Sequence, residues 1–364
     1  MTAPDDNVGS QPDASVGGPP PEGGSDPRER DEPSTTDGAS DTPVAAPGRL
    51  GTSTFTIEGR AAPALFVVGW LASVLGFALL LVAAMSGGMA AWLGLALGGL
   101  ILLSIGLIAA AGSQGIERRA RGMPGYAGPS PLLVFAASIP VSVLVVLIVG
   151  LPLGAAGLPL DGPVGALLSV VLQAVVYVGL IRLLVVDTGA LRWSEMGLRR
   201  LDRGAIGEIV GGALWAAPVI VATIPVSLIL LAIFPVTPES PLPPTGEAVG
   251  LTLSLIAGAL VAPFGEEVLF RAFATTAWVR GVGVRQGILR AALVFALAHV
   301  LTTSGTSAGD ALGLAAVGFG TRIPIALALG WLFVKRGTIW AAFGLHAAFN
   351  AMLLVIAEVA QQPI

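Results

Sequence analysis

The chain has 364 residues, of which 54% are hydrophobic and only 12% charged, too little charge to coat a soluble domain of this size. There is no cysteine, which excludes disulfides, zinc–thiolate sites and thiol chemistry. The formal charge of −4 comes from an acidic start: residues 1–60 hold eleven Asp and Glu against four Arg, and the remainder is mildly basic, so nucleic acid is not an expected partner.

Residues 1–60 are mostly Pro, Gly, Ser, Asp and Thr, and such a segment cannot bury enough apolar surface to offset the entropy lost on ordering. A disordered acidic tail is expected there. A secretory signal would open with a basic end and a short apolar run, whereas the first apolar run here starts near Pro63, so the tail is expected to stay attached.

From Pro63 onward, apolar segments of about 20 residues, the length that crosses ~30 Å of hydrocarbon, recur with short breaks. They fall near 63–86, 89–112, 131–153, 163–186, 206–234, 247–275, 287–303, 309–334 and 338–358. Turn chemistry marks the breaks, as in Ser-Gly-Gly at 86–88 and the proline-rich run at 235–246. The expected fold class is all-α: a polytopic membrane helix bundle of eight or nine spans, with four in 61–205 and a membrane core in 206–360. Runs of Gly and Ala such as 94–99 read as close-packing faces between helices. The Gly-rich string 281–287 reads as a loop, because no strand precedes it to make a nucleotide-binding turn.

The arginines set the orientation. Arg118, Arg119 and Arg121 occupy the second break, Arg192, Arg199, Arg200 and Arg203 the fourth, Arg280 and Arg285 the sixth, and Lys335 with Arg336 the eighth; the odd breaks carry no Lys or Arg. The positive-inside rule then places the even breaks and the N-terminus in the cytoplasm. Few lysines and many alanines and glycines suggest a GC-rich bacterial source, so the lipid bilayer of a plasma membrane is the expected location. Arg322 breaks the pattern, falling in the middle of the eighth segment.

A charge at mid-bilayer costs between ~3 and ~10 kcal/mol, which makes intramembrane carboxylates functional candidates. Glu266 and Glu267 stand together in the sixth segment, and Arg271, one turn after Glu267, is placed to neutralise it. Glu266 points about 100° away on a 3.6-residue helix and stays available to accept a proton. Pro263 lacks an N–H and is expected to kink the helix ahead of the pair. Of the two histidines, His299 follows Phe295 by four residues, and His346 precedes Asn350 by four. Counting from the cytoplasmic ends, Glu266 lies ~14 Å deep, His299 ~18 Å and His346 ~12 Å, so the three are expected to converge.

The ordered set Glu-Glu-x-x-x-Arg, Phe-x-x-x-His and His-x-x-x-Asn on successive segments resembles the CPBP intramembrane proteases, the group of CaaX prenyl proteases and bacteriocin-processing enzymes also called the Abi family. The resemblance covers about 252–354, with Lys-Arg-Gly-Thr-Ile-Trp at 335–340 similar to the turn these proteins place before the last motif. It implies a catalytic Glu266 that activates water, with His299 sharing the task, and a supporting pair of Glu267 and Arg271 beside Phe295. It further implies that His346 and Asn350 complete the site, either by stabilising an oxyanion or by helping Glu266 and His299 hold a divalent metal such as zinc. Both mechanisms use the same residues, and the soluble zinc-protease signature His-Glu-x-x-His is absent.

The leading expectation is therefore an intramembrane endopeptidase acting on membrane-associated peptide or protein substrates. The alternatives are a non-catalytic scaffold or immunity protein on the same fold, and a transporter, which the absence of internal repeats and paired broken helices disfavours.

Overall fold

The structure, a computed structural model, describes residues 56–238 and 243–360. Most of the tail expected at 1–60 therefore lies outside the described residues. Those residues fold into helices with no strand, and eight helical stretches are long and apolar enough to cross a membrane. We number the helices α1 Pro63–Met85, α2 Met89–Ala120, α3 Pro131–Ala155, α4 Pro163–Val186, α5 Arg203–Ile233, α6 Ala248–Val282, α7 Val284–Ala298, α8 Ala308–Arg336 and α9 Ile339–Ala360.

Local chemistry sets the ends. Pro63, Pro131 and Pro163 open their helices, where a missing N–H costs nothing. Asp202 caps α5 by accepting from the Ala205 amide at 2.9 Å, and Ser307 caps α8 by accepting from Asp310. Inside α5 the helix breaks at 214–215, four residues ahead of Pro218, whose ring cannot tolerate a helical carbonyl at Leu214. The α8–α9 turn depends on Gly337 at φ +63°, a left-handed backbone that ends α8 behind Lys335 and Arg336.

Small residues let the helices close on one another. In the α1–α2 hairpin Gly76 faces the backbone of Leu103 and Gly106 faces that of Ser73. Where α5 crosses α9, Gly212 lies against the Ala341 carbonyl and Gly344 against the Ile209 carbonyl, so neither position has room for a side chain. Arg336, at the end of α8, ties that helix to α5 through a two-pronged bond to Glu208 at 2.7 and 2.9 Å. On the same side of the fold, the 192–199 loop is folded around Glu195, which accepts from the Arg192 amide and pairs with Arg280 at the end of α6. The Arg192 amide bond, reinforced by Arg280 and Arg192, holds the Glu195 carboxyl below the usual range against a smaller opposing effect of burial.

The segment expected at 287–303 does not form a full span. α7 has 15 residues, about 22 Å at 1.5 Å per residue, and stops at His299. Gly330 faces Ile288 and Gly318 faces Val300, so α7 and the non-helical residues after it run antiparallel to α8. Residues 299–307 thus continue along the first half of α8 as irregular chain. Non-helical backbone at membrane depth is tolerated where it lines a cavity, and His299 does so here.

Candidate active site

α6 is built unlike the other spans. Two π-helical stretches, Ile256–Val261 and Glu267–Thr275, flank a single α-helical turn, Ala262–Glu266. Pro263 explains part of this. In the first wide stretch the Ala262 amide bonds the Ala257 carbonyl, five residues back, so the next donor to the Gly258 carbonyl would be Pro263, which has none. Asn350 fills the vacancy from α9, its side-chain amide donating to the Gly258 carbonyl at 2.8 Å. The expected kink therefore takes the form of a widened helix, with one carbonyl satisfied from outside. The second wide stretch is held by Thr275, whose hydroxyl donates to the Phe270 carbonyl at 2.8 Å.

Widening turns Glu266 and Glu267 to different surroundings. Glu267 is fully buried, with Arg271 Nη1 3.2 Å from its Oε1 and His346 Nδ1 2.8 Å from the same atom. The Arg271 contact is a charge contact without hydrogen-bond alignment, and Arg271 is held further by the Phe295 ring 4.2 Å beneath its guanidinium. An ionised Glu267 beside Arg271 can only accept, so the neutral His346 ring carries its proton on Nδ1 and presents a bare Nε2. His299 reaches the same state by another route. Its Nδ1 lies 2.8 Å from the Phe295 carbonyl, which also only accepts, and its Nε2 is bare as well. That carbonyl belongs to the last turn of α7, so the imidazole caps the helix that carries it.

Both bare nitrogens face Glu266, each Nε2 lying 3.7 Å from Oε2. That oxygen is buried and has no hydrogen-bond partner. Three acceptors thus converge with no donor between them, an arrangement completed by a bound species carrying protons or positive charge. The spacings expected from the chain have brought Glu266, Glu267, Arg271, Phe295, His299, His346 and Asn350 into one cluster. Asn350 alone reaches it by way of a backbone carbonyl.

The same segment is recognisable by comparison. Residues 248–352, under a third of the chain, match the family described as type II CAAX prenyl endopeptidase, Rce1-like. Over this segment the chain is similar to that family of endopeptidases. No curated protein and no solved structure matches the chain.

Around the Rce1-like cluster lies a cavity of about 690 Å³, its wall mostly apolar, with Glu266, His299, His346 and Asn350 on one side. The sequence singled out Arg322 but not the polar residues that line the cavity with it. Gln173 of α4, Thr223 and Ser227 of α5 and Arg322 of α8 all line the cavity. The signal was present in Thr223 and Ser227, four residues apart on one face of a membrane helix. α4 approaches closely because of Gly265, where a methyl would sit 3.0 Å from Ala174 Cα.

The donor set suits a divalent metal in kind: two imidazoles, each oriented by an acceptor on its other nitrogen, and a carboxylate. It is wider than a ligand shell. Zinc bonds of ~2.0 Å would bring the donor atoms within about 3.3 Å of one another. Among the described residues, no group of three His, Cys, Asp or Glu is gathered closely enough to hold an ion.

Proposed function

We propose that the protein is an intramembrane endopeptidase that hydrolyses a peptide bond in a membrane-associated peptide or protein. The observation that carries this reading is the unpartnered Glu266 Oε2 flanked at 3.7 Å by two bare histidine nitrogens on the wall of a mostly apolar cavity.

A water held there donates one hydrogen to Glu266 Oε2 and the other to a histidine Nε2. As its oxygen attacks the scissile carbonyl, Glu266 takes the proton; when the C–N bond breaks, that proton passes to the leaving nitrogen. His299 and His346 share the proton between these steps. Asn350 has a second side-chain N–H beyond the one spent on Gly258, available to the tetrahedral oxyanion. The apolar wall keeps bulk water from competing with these short-lived charges. A divalent metal such as zinc would be held only if Glu266, His299 and His346 closed in on one another, and would then supply Lewis-acid polarisation of the carbonyl. Water activation by Glu266 draws on the same residues.

The test uses full-length protein in proteoliposomes, comparing wild type with Glu266→Ala and His299→Ala on a peptide library, with bound metal measured on the same samples. Loss of cleavage in both variants at unchanged helical circular dichroism is expected. Cleavage that survives in both variants would sink this site.

A further inference from the structure

Arg322 is the 15th of the 29 residues of α8, so its Cα lies near mid-bilayer, where a cation is costly. It is half-buried and lines the same cavity as Glu266. Among the described residues its guanidinium makes one hydrogen bond, from Nη1 to the Gly318 carbonyl at 2.9 Å, and no ion pair. Arg271, the other arginine of the core, is sealed against Glu267 and the Phe295 ring. Most guanidinium donors of Arg322 are therefore uncommitted, and none bonds the hydroxyls of Thr223, Ser227 or Thr321, which donate to carbonyls of their own helices.

We propose that Arg322 is a specificity residue that binds a carboxylate of the peptide substrate. The claim rests on the endopeptidase reading in taking the cavity's occupant to be a substrate. Depth selects the class of ligand. At the centre of a 29-residue helix, ~20 Å from either end, Arg322 is beyond the headgroups of an undistorted bilayer, so the anion must be carried inward on an extended chain. The forked guanidinium suits a carboxylate geometrically. Two sources share this chemistry: the C-terminal carboxylate of a peptide cut near its end, and an Asp or Glu side chain near the scissile bond.

A simpler role must be separated from this one. With neutral histidines, the charges of Glu266, Glu267, Arg271 and Arg322 sum to zero, and the simpler role is that of a countercharge for Glu266. A countercharge affects every substrate alike, whereas a carboxylate site discriminates.

The experiment measures binding of fluorophore-labelled apolar hexapeptides to full-length Glu266→Gln protein in detergent, which retains ligand without cutting it. One pair of peptides differs only in a C-terminal carboxylate against a carboxamide, and a second amidated pair only in an internal Glu against Gln. The expected result is that one pair shows about 10- to 100-fold tighter binding of the acid. Adding Arg322→Gln should reduce that ratio to within about threefold while leaving the neutral peptide's affinity unchanged, and Arg322→Lys should keep part of it. A preference in the first pair identifies the C-terminus and in the second a side chain. Equal binding within both pairs, no binding at all, or equal weakening of acid and neutral peptides by Arg322→Gln would overturn the proposal. The comparison within Glu266→Gln decides the matter even if Arg322→Gln fails to fold. Acid-selective binding with no cleavage by wild type would instead overturn the endopeptidase reading alone.

Discussion

Replacing Arg271 by Met tests the logic of the buried cluster. The guanidinium is 1% exposed and Glu267 is 0% exposed, so the variant would leave Glu267 without its countercharge in a site closed to water. Breaking one partner of such a pair costs about 3–5 kcal/mol, and the lost stacking on Phe295 adds about 0.5–2 kcal/mol. Glu267 could escape only by taking a proton, and its O–H would then donate to His346 Nδ1. That reverses the imidazole, placing the hydrogen on Nε2 and removing one of the two bare nitrogens beside Glu266. Arg271→Met should therefore melt on the order of 10 °C lower in detergent and lose cleavage at temperatures where it is still folded. The double variant Glu267→Gln with Arg271→Met removes both charges, and the Gln oxygen still accepts from His346 Nδ1–H. It should recover most of the melting temperature and part of the activity. Melting curves followed by intrinsic fluorescence, with cleavage assayed on the same samples, decide between these outcomes. A single variant as stable as wild type, or a double variant no better than the single, would refute the reasoning.

Other positions make separate claims. Asn350→Leu should leave the Gly258 carbonyl buried without a donor, costing about 1–3 kcal/mol in melting experiments and reducing cleavage through the shape of α6. Gly265→Val should be worse for activity than for expression, because even its Cβ would press on Ala174 at 2.8–3.0 Å and drive α4 away from Glu266; kcat measured with a cleaved peptide is the readout. Phe295→Leu should weaken both the seat of Arg271 and the contact with the His299 ring, lowering kcat more than it raises KM. The lowered carboxyl of Glu195 gives the 192–199 loop a stabilisation that is present above the usual carboxylate range and lost as pH falls through the folded-state value. Hydrogen exchange at the Arg192 amide should accelerate in that acidic window, and Glu195→Gln should remove the pH dependence.

Much of this architecture is written locally in the chain. Hydropathy, the opening prolines and the Gly-rich breaks mark the helices because lipid leaves backbone polar groups no partner except their own helix. Four-residue spacings bring Arg271 to Glu267 and the His299 ring to the Phe295 carbonyl, since both contacts lie within one turn. The features that only the tertiary structure decided arise where helices meet. α7 stops after 15 residues because His299 caps it and a cavity accepts irregular chain; an apolar run of composition alone does not reveal that. The first widened turn of α6 depends on a carbonyl satisfied from α9, and the depth shared by Glu266, His299 and His346 depends on how those helices stack. Arg322 illustrates the division between the two levels. The sequence by itself showed a charge at mid-span, but only packing could show which side of the helix meets lipid and which meets Glu266 across the cavity, because a helix presents every face until its neighbours cover some of them.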